Sequence, residues 1–221
     1  MPAFANAIDL GYRYVETDVH ATADGVLVAF HDDDLARTCG RPGRISELAW
    51  SEVGAARVEG REPIPRMDDL LSTWPDVRFN IDCKADQALG PLVDVLHRAD
   101  AVDRVCVGSF DDRRLGRIRR QLGPGLCTSL GPKETAMLRI LGVASGRAAV
   151  AQVPVKQGRW TVVDRRFVAT AHRRGMPVHV WTIDAAAEMR RLLDLGVDGL
   201  MTDRPAVLRD VLLERNAWHS P

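Results

Sequence analysis

The alternation of apolar and polar positions divides the chain into seven strand-length apolar runs, most of them followed by a stretch with helical period. The predicted strands are residues 12–19, 77–83, 104–110, 125–130, 149–155, 177–183 and 199–202. The predicted helices are residues 68–74, 88–98, 112–122, 133–141, 165–174, 186–195 and 206–215. Nearly continuous apolar strands separated by single helices indicate a parallel sheet that is covered on both faces. Seven such units favour an α/β fold of the TIM (β/α)8 barrel type, with an open doubly wound sheet as the alternative.

The segment after the first strand departs from this alternation, because no helix fits there. The stretches "VETDVHA" and "VLVAFHD" are predicted to form a hairpin, since the Asp-Gly pair at 24–25 suits the positive φ of a tight turn. With this pair at the centre of a two-residue turn, antiparallel pairing places Asp18 opposite His31. The same pairing places Glu16 opposite Asp33 on one face. The hairpin is therefore expected to bring carboxylates and an imidazole together.

A long excursion follows the hairpin at residues 35–66, where glycines and prolines interrupt any regular element. Excursions of this length in a compact domain are often functional lids. At 221 residues the chain fits one barrel, so we expect a single domain over residues 1–221.

Composition narrows the classes of partner. Thirty basic residues balance thirty acidic ones, which argues against nucleic acid and favours a small-molecule partner. No apolar run approaches the roughly 20 residues that a membrane-spanning helix needs. The four cysteines are too widely spaced for a CxxC metal site and are predicted to be reduced. We find no secretory signal at the start of the sequence and expect a cytoplasmic location.

Candidate chemistry lies at the carboxyl ends of the predicted strands, where the functional groups of parallel barrels converge. Glu16 and Asp18 lie near the end of the first strand, and Asp82 and Lys84 lie at the end of "VRFNIDCK". Three carboxylates from neighbouring strands suit a hard divalent cation such as Mg²⁺ or Ca²⁺, and a lysine beside them would complement a phosphate. With His31 to move a proton, the set indicates metal-assisted phosphoester cleavage. Lys156 and Trp181 end later strands and are further candidates for substrate contact.

Each candidate also has a purely structural interpretation. The "HDDD" sequence could be a solvated turn with a helix cap, and Asp82 could form a buried ion pair with Lys84. Trp181 could be a core residue or an apolar platform for an organic substrate. The arginine-rich helix "DDRRLGRIRRQL" is predicted to expose its basic face to solvent. Four other histidines are not expected to be ligands. His97 and His172 are predicted to lie on helix surfaces, His179 to pack in the barrel wall, and His219 to lie in the C-terminal tail.

The segments that carry a resemblance to a known family are "VETDVHATADGVLVAFHDDDLARTCG", "IPRMDDLL", "FNIDCK", "VGSFD", "VHVWTID" and "GVDGLMTDRP". The chain resembles the glycerophosphodiester phosphodiesterases over residues 3–205. The resemblance implies a TIM barrel that hydrolyses glycerophosphodiesters to an alcohol and glycerol 3-phosphate with a divalent cation. By position it implies that Glu16, Asp18 and Asp82 bind the metal and that His31 is one of two catalytic histidines. Lys84 would lie close to the phosphate.

Two departures from the family pattern are visible. The family usually has glutamate at the position of Asp82, a mild change. The family also begins with a strand ending in HRG, followed by PENT, and both are absent here, so the first barrel strand is expected to be missing. Three explanations for the missing strand are open. The start of the sequence could be assigned too late, or the protein could be a degenerate member that only binds phosphate ligands. It could also be an active enzyme in which His20 or a water molecule replaces the lost histidine. An exposed sheet edge at the gap also raises the prospect of a homodimer.

Overall fold

All seven predicted strands and all seven predicted helices are present in the computed structural model, which describes residues 1–144 and 146–218. His219, predicted to lie in the tail, is outside the described residues. The strands are β1 Tyr14–Ala21, β2 Leu27–Ala29, β3 Arg57–Val58, β4 Glu62–Pro63, β5 Arg78–Cys83, β6 Val105–Gly108, β7 Cys127–Thr128, β8 Ala151–Pro154, β9 Lys156–Gln157, β10 Trp160–Thr161, β11 Val178–Trp181 and β12 Gly199–Leu200. The helices are α1 Pro2–Asp9, α2 Ala36–Cys39, α3 Trp50–Val53, α4 Met67–Thr73, α5 Leu89–Arg98, α6 Asp112–Leu122, α7 Pro132–Leu141, α8 Arg165–His172, α9 Ala186–Asp194 and α10 Pro205–Glu214.

The chain divides into two compact units. The first unit comprises Met1–Asn6 and Arg13–Cys127, and the second comprises Ala7–Tyr12 and Thr128–Pro221. The two larger sheets are a five-stranded sheet in the order β2-β1-β5-β6-β7, in which β2 is antiparallel to β1, and a three-stranded parallel sheet in the order β12-β11-β8.

In the first unit, β1 and β5 pair in parallel from Tyr14 opposite Arg78 to Val19 opposite Cys83. Strand β6 continues the sheet in parallel beside β5. Burial alternates along β5, because Phe79 and its odd-numbered neighbours face the apolar interior while the even-numbered residues face the other side. This alternation places the polar residues of β1 and β5 on one face.

The predicted hairpin register is wrong by one residue. Strands β1 and β2 do pair antiparallel, but Val19 lies opposite Ala29 and His20 opposite Val28. The turn contains three residues, with Thr22 and Val26 as the closing pair and Gly25 at a φ of 83°. This is the three-residue turn in which glycine takes the left-handed position.

The slip changes which residues meet across the hairpin. The Phe30 N–H donates to the carbonyl of Asp18 at 2.9 Å, so Asp18 lies beside Phe30 and not opposite His31. The predicted pairing of Glu16 with Asp33 fails for the same reason, since a one-residue shift moves side chains to the opposite face.

Residues 35–66 are not a featureless loop, because they enclose a small core of their own. They contain α2, α3, the antiparallel pair β3 and β4, and a 3₁₀ turn at Ile45–Glu47. Ile45, Val53 and Ile64 are fully buried there and pack with Val28 and Leu35. The excursion is therefore a folded layer against β2.

In the second unit, β8, β11 and β12 form a parallel sheet, and helices α8 to α10 cover its buried face. Phe167 of α8, Met189 of α9 and Leu208 of α10 are buried with Val178 and Val180 of β11. An antiparallel pair, β9 and β10, projects after β8. Among the residues that the structure describes, no helix combines the length and the apolar character needed to span a membrane.

Candidate active site at the ends of β1 and β5

Carboxylates line one face of the first unit's sheet because β1 and β5 run in parallel and in register. Glu16 lies opposite Asn80, and Asp18 lies opposite Asp82. Glu16 is exposed, whereas the Asp18 and Asp82 side chains are mostly buried. Asp18 and Asp82 therefore come together as predicted, with Glu16 one row below them on the same face.

Lys84 lies between the two aspartates and pairs with both. Its Nζ lies 2.9 Å from Asp18 Oδ1 and 3.0 Å from Asp82 Oδ2. The ammonium also lies 5.3 Å from the centroid of the exposed Phe110 ring, a cation–π distance. The ion pair between Asp82 and Lys84, considered from the sequence as a structural alternative, is thus present, and it includes Asp18.

Burial and charge act in opposite directions in this cluster. Burial raises the pKa of Asp82 above its usual value, while the Lys84 ammonium opposes the rise. Burial by itself would lower the pKa of Lys84, but the carboxylates of Asp82 and Asp18 raise it above its usual value. Lys84 is therefore charged at neutral pH, and the cluster is held by charge-assisted hydrogen bonds.

Arg114 of α6 supports the end of β5, which the sequence did not reveal. Its guanidinium donates to the carbonyls of Cys83 and Lys84 at 3.1 and 3.0 Å, and to Asp86 Oδ1 at 2.7 Å. The predicted solvent exposure of the arginine-rich face is wrong for this residue, because its side chain is mostly buried against these carbonyls. Its position in the first turn of α6, near the end of β6, was the only available signal.

His31 follows the hairpin and is exposed, with 71% of its side chain accessible. Its Nδ1 lies 2.8 Å from Asp32 Oδ1, and a carboxylate can only accept, so Nδ1 carries the proton of this bond. Arg37 donates to both oxygens of Asp32, at 2.7 and 2.8 Å. The Arg37 and His31 hydrogen bonds lower the pKa of Asp32 to about 2. His31 is thus held through a carboxylate that stays ionised.

His20 is a buried histidine on β1 that faces the same pocket. Its Nε2 lies 3.2 Å from the carbonyl of His31, which can only accept, so Nε2 is the protonated nitrogen. Burial lowers the pKa of His20, partly offset by this carbonyl and by Asp18 and Asp33. His20 therefore links β1 to the backbone that positions His31.

These side chains surround an open pocket of about 570 Å³. It is lined by His20, His31, Asp32, Asp33, Asp34, Arg37 and Lys84. With the carboxylates ionised, the lining has three negative and two positive charges, and Asp18 and Asp82 beside Lys84 add two more negative charges. The pocket consequently has an excess of negative charge.

The oxygen atoms of Asp18 and Asp82 are suitable ligands for a hard cation, but their present contacts are only partly compatible with one. Asp82 Oδ1 is buried and has no hydrogen-bond partner, as expected of an oxygen that can bind a cation. However, Lys84 Nζ lies between Asp18 and Asp82. Across residues 1–144 and 146–218, no group of three or more His, Cys, Asp and Glu side chains is placed to hold a metal ion. A cation held by both aspartates would have to take the place that Lys84 Nζ occupies between them.

The other two predicted substrate residues belong to the second unit. Lys156 is exposed on β9, beyond the end of β8. Trp181 is half-buried at the end of β11, on the same face as His179. The predicted packing role of His179 agrees with its surroundings, since a methyl group built on Gly199 of β12 would lie 2.6 Å from His179 Cδ2.

Solved structures that resemble the chain show its fold class. The crystal structure of a "Putative glycerophosphoryl diester phosphodiesterase" from Silicibacter pomeroyi has a TM-score of 0.83 at 24% identity, covering 98% of this chain and 88% of that one. A phosphodiesterase structure from Oleispira antarctica, in complex with the product sn-glycerol-3-phosphate, has a TM-score of 0.78 at 20% identity and covers 95% and 90%. The protein is therefore an α/β protein of the TIM-barrel type.

Sequence comparison identifies the family. The profile of the Glycerophosphoryl diester phosphodiesterase family matches residues 1–207. A protein of Mycobacterium tuberculosis described as "Probable glycerophosphodiester phosphodiesterase 2" is 40% identical over 99% of this chain and 86% of its own length. The chain belongs to the glycerophosphoryl diester phosphodiesterase family.

Proposed function

We propose that this protein hydrolyses glycerophosphodiesters to an alcohol and glycerol 3-phosphate. The observation that supports this best is the pocket in which His31 and Lys84 lie together, in a chain that belongs to this family. The similar mycobacterial protein is described as a glycerophosphodiester phosphodiesterase, and the Oleispira phosphodiesterase was solved with glycerol 3-phosphate. Both support phosphodiester cleavage as the reaction.

In this proposal His31 is the proton-transfer group. Because its Nδ1 proton is engaged by Asp32, its Nε2 is the nitrogen left to exchange a proton with a reacting oxygen. Asp32 and Arg37 are positioning residues that fix the orientation of the imidazole. This arrangement lets His31 activate a water molecule or protonate the leaving alkoxide.

Lys84 is the proposed phosphate contact. It is a charged ammonium in the pocket lining, and a cation that takes over Asp18 and Asp82 would leave its hydrogen bonds for the phosphate. A hydrogen bond from it to a phosphate oxygen would offset charge that develops during the reaction. Lys156 and Trp181, which belong to the second unit, stay sequence-based predictions for substrate contact.

We also propose that Glu16, Asp18 and Asp82 hold a divalent cation, Mg²⁺ or Ca²⁺, during turnover. The charge of the pocket supports this, because an anionic phosphodiester would be repelled by the excess of carboxylates unless a cation accompanied it. The buried Asp82 Oδ1 without a partner is a second support. When bound, such an ion supplies Lewis-acid stabilisation of phosphate oxygens.

A second candidate function is binding of phosphate ligands without turnover. The exposure of His31 favours it, as does the absence of a gathered three-ligand group among the described residues. Such a protein would bind glycerol 3-phosphate through Lys84 but release no product from a diester.

The experiment that separates these candidates measures glycerol 3-phosphate release from glycerophosphocholine by EDTA-treated protein, as Mg²⁺ or Ca²⁺ is added back. We expect release only with added cation, and Glu16→Gln and Asp82→Asn should each raise the cation concentration required at least about tenfold. His97→Gln, on the surface of α5, is the matched control and should behave as the parent protein. Full turnover in EDTA would refute the metal proposal. A rise in melting temperature with glycerol 3-phosphate but no turnover at any cation concentration would favour the binding function.

A further inference from the structure

The second unit exposes a concentration of large apolar side chains on α7. Among the described residues, eight large apolar side chains are exposed, and Met137, Ile140, Leu141 and Val143 are four of them. Ile140 is 70% exposed and Leu141 is 68% exposed. Met137, Ile140 and Leu141 are spaced at i, i+3 and i+4, so they share the outer face of the helix while Leu138 is buried beneath them. Within the part of the chain that the structure describes, these three side chains of the outer face stay exposed.

A fifth exposed apolar side chain lies on the hairpin that α7 contacts through Arg139. Trp160 of β10 is 81% exposed, near the tip of the β9–β10 hairpin. Arg139 of α7 donates from Nε to the carbonyl of Thr161 at 3.2 Å, and its Nη2 lies 2.8 Å from Asp164 Oδ2. These bonds connect the middle of α7 to the hairpin strand that contains Trp160. The outer face of α7 and the hairpin together are called the α7–hairpin surface below.

The α7–hairpin surface is basic as well as apolar. Lys133 begins α7, and Lys156 and Arg159 belong to the hairpin, so two of the three lysines of the chain lie on this surface. Residues 155–163 contain no acidic residue.

The carboxylates near this surface are engaged by neighbours. Glu134 accepts from the Gly131 N–H at 2.9 Å, and Asp164 pairs with Arg139. Glu188, the carboxylate whose charge reaches Lys156, is bound by Arg191 at 2.7 and 2.6 Å. The basic side chains Lys133, Arg139, Lys156 and Arg159 outnumber Glu134 and Asp164 here, so the surface is positive although the whole chain has no net charge.

We propose that the α7–hairpin surface docks onto an anionic lipid bilayer. A helix that exposes apolar side chains beside a lysine, together with an exposed tryptophan, has the features of peripheral proteins whose apolar side chains enter the headgroup region. Tryptophan is favoured at that depth, and each Lys or Arg near the surface adds attraction to anionic lipids. This inference does not depend on the proposed hydrolysis.

A second copy of the chain is a poorer occupant of this surface. A two-fold interface would place the same basic patch on both sides, so Lys133, Lys156 and Arg159 would face like charges. An anionic bilayer instead complements the lysines and accepts the apolar side chains between them.

The test is co-sedimentation with sucrose-loaded vesicles. Vesicles of phosphatidylglycerol and phosphatidylcholine in equal parts are compared with vesicles of phosphatidylcholine alone. We expect the parent protein to sediment with the anionic vesicles only, and less at high salt because the attraction is screened. Leu141→Asp and Trp160→Ala should each lower the partition coefficient at least about fivefold. Leu213→Asp is the matched control, since Leu213 is 50% exposed on α10, and it should bind as the parent protein does.

The variants are first checked for the parent's circular dichroism spectrum and melting temperature, and light scattering gives their mass in solution. Equal binding by Leu141→Asp and Leu213→Asp would overturn the proposal, and so would a failure of the parent protein to sediment with anionic vesicles. A dimer that Leu141→Asp dissociates, without any vesicle binding, would show that a second copy covers the surface instead.

Discussion

At the scale of single residues, Asp32 determines how His31 is presented. It accepts from His31 Nδ1 and from two nitrogens of Arg37, so both of its oxygens are engaged. The sequence predicted His31 as the catalytic group but assigned no role to Asp32 or Arg37. Nothing in the letters "HDDD" distinguishes which of the three aspartates turns toward the imidazole.

The depressed pKa of Asp32 gives a prediction for acid unfolding. A carboxyl with a folded pKa of about 2 and an unfolded pKa near 3.9 adds stability that is fully present above about pH 5 and is lost as the pH falls toward 2. Asp32→Asn should therefore be less stable than the parent protein at neutral pH, and the gap should shrink between about pH 4 and pH 2. Urea unfolding of both proteins at several pH values measures this difference in stability. A gap that widens with acid would contradict the assignment.

Lys84 is the second residue on which a prediction rests. Replacing it with methionine leaves Asp18 and Asp82 facing each other with little solvent, so Lys84→Met should lower the free energy of unfolding by about 2 kcal/mol at neutral pH. The loss should diminish at low pH, because Asp82, whose pKa burial already raises, takes up a proton. Denaturant unfolding of Lys84→Met, with the double variant Asp82→Asn/Lys84→Met as the control, tests this. The double variant should recover part of the loss, and a single variant as stable as the parent would refute the argument.

At the level of secondary structure, the alternating pattern predicted the parallel strands of both sheets and the helices that follow them. It missed the register of the β1–β2 hairpin. A two-residue turn at 24–25 was the simplest assumption, yet the Thr22 hydroxyl accepts from the Val26 N–H and donates to Asp24. These side-chain bonds stabilise a three-residue turn, and that choice shifts the pairing by one. Turn type depends on such local bonds, which apolar periodicity does not contain.

The layer formed by residues 35–66 could not be predicted for a related reason. Its short elements have too few residues to show a period, and its core consists of single apolar residues such as Ile45 and Ile64 that are far apart in sequence. Arg114 likewise stabilises β5 through contacts about thirty positions away. Only the tertiary structure brings these partners together.

The pairing of β11 with β12 gives a prediction at this scale. His179 lies opposite Gly199, and a Cβ on Gly199 would lie 2.6 Å from His179 Cδ2. Gly199→Ala should lower the free energy of unfolding by about 1–3 kcal/mol, as overpacking typically does. Gly125→Ala is the control, because nothing lies within 4 Å of its built Cβ, and it should change stability by less than about 0.5 kcal/mol. The measurement is thermal unfolding of the two variants. Equal losses of stability in Gly199→Ala and Gly125→Ala would show that the close contact between Gly199 and His179 does not matter.

At the scale of the whole molecule, the order of elements predicted the TIM-barrel class that the similar structures show. The sequence could not predict that the chain divides into two compact units, since that division depends on which elements contact each other. It also treated the charge as balanced, whereas the first unit has an acidic pocket and the second unit has the basic α7–hairpin surface. The cytoplasmic location and the homodimer stay predictions.

The central claim is that His31 and its neighbours at the ends of β1 and β5 cleave phosphodiesters. The most direct measurement is ³¹P NMR of glycerophosphocholine incubated with divalent cation and either the parent protein, His31→Gln or the surface control His97→Gln. We predict that the parent and His97→Gln convert the diester resonance into that of glycerol 3-phosphate, and that His31→Gln does so about 10² to 10⁴ times more slowly while keeping its melting temperature. Conversion at the parent rate by His31→Gln, or no conversion by the folded parent protein with either cation, would contradict the account.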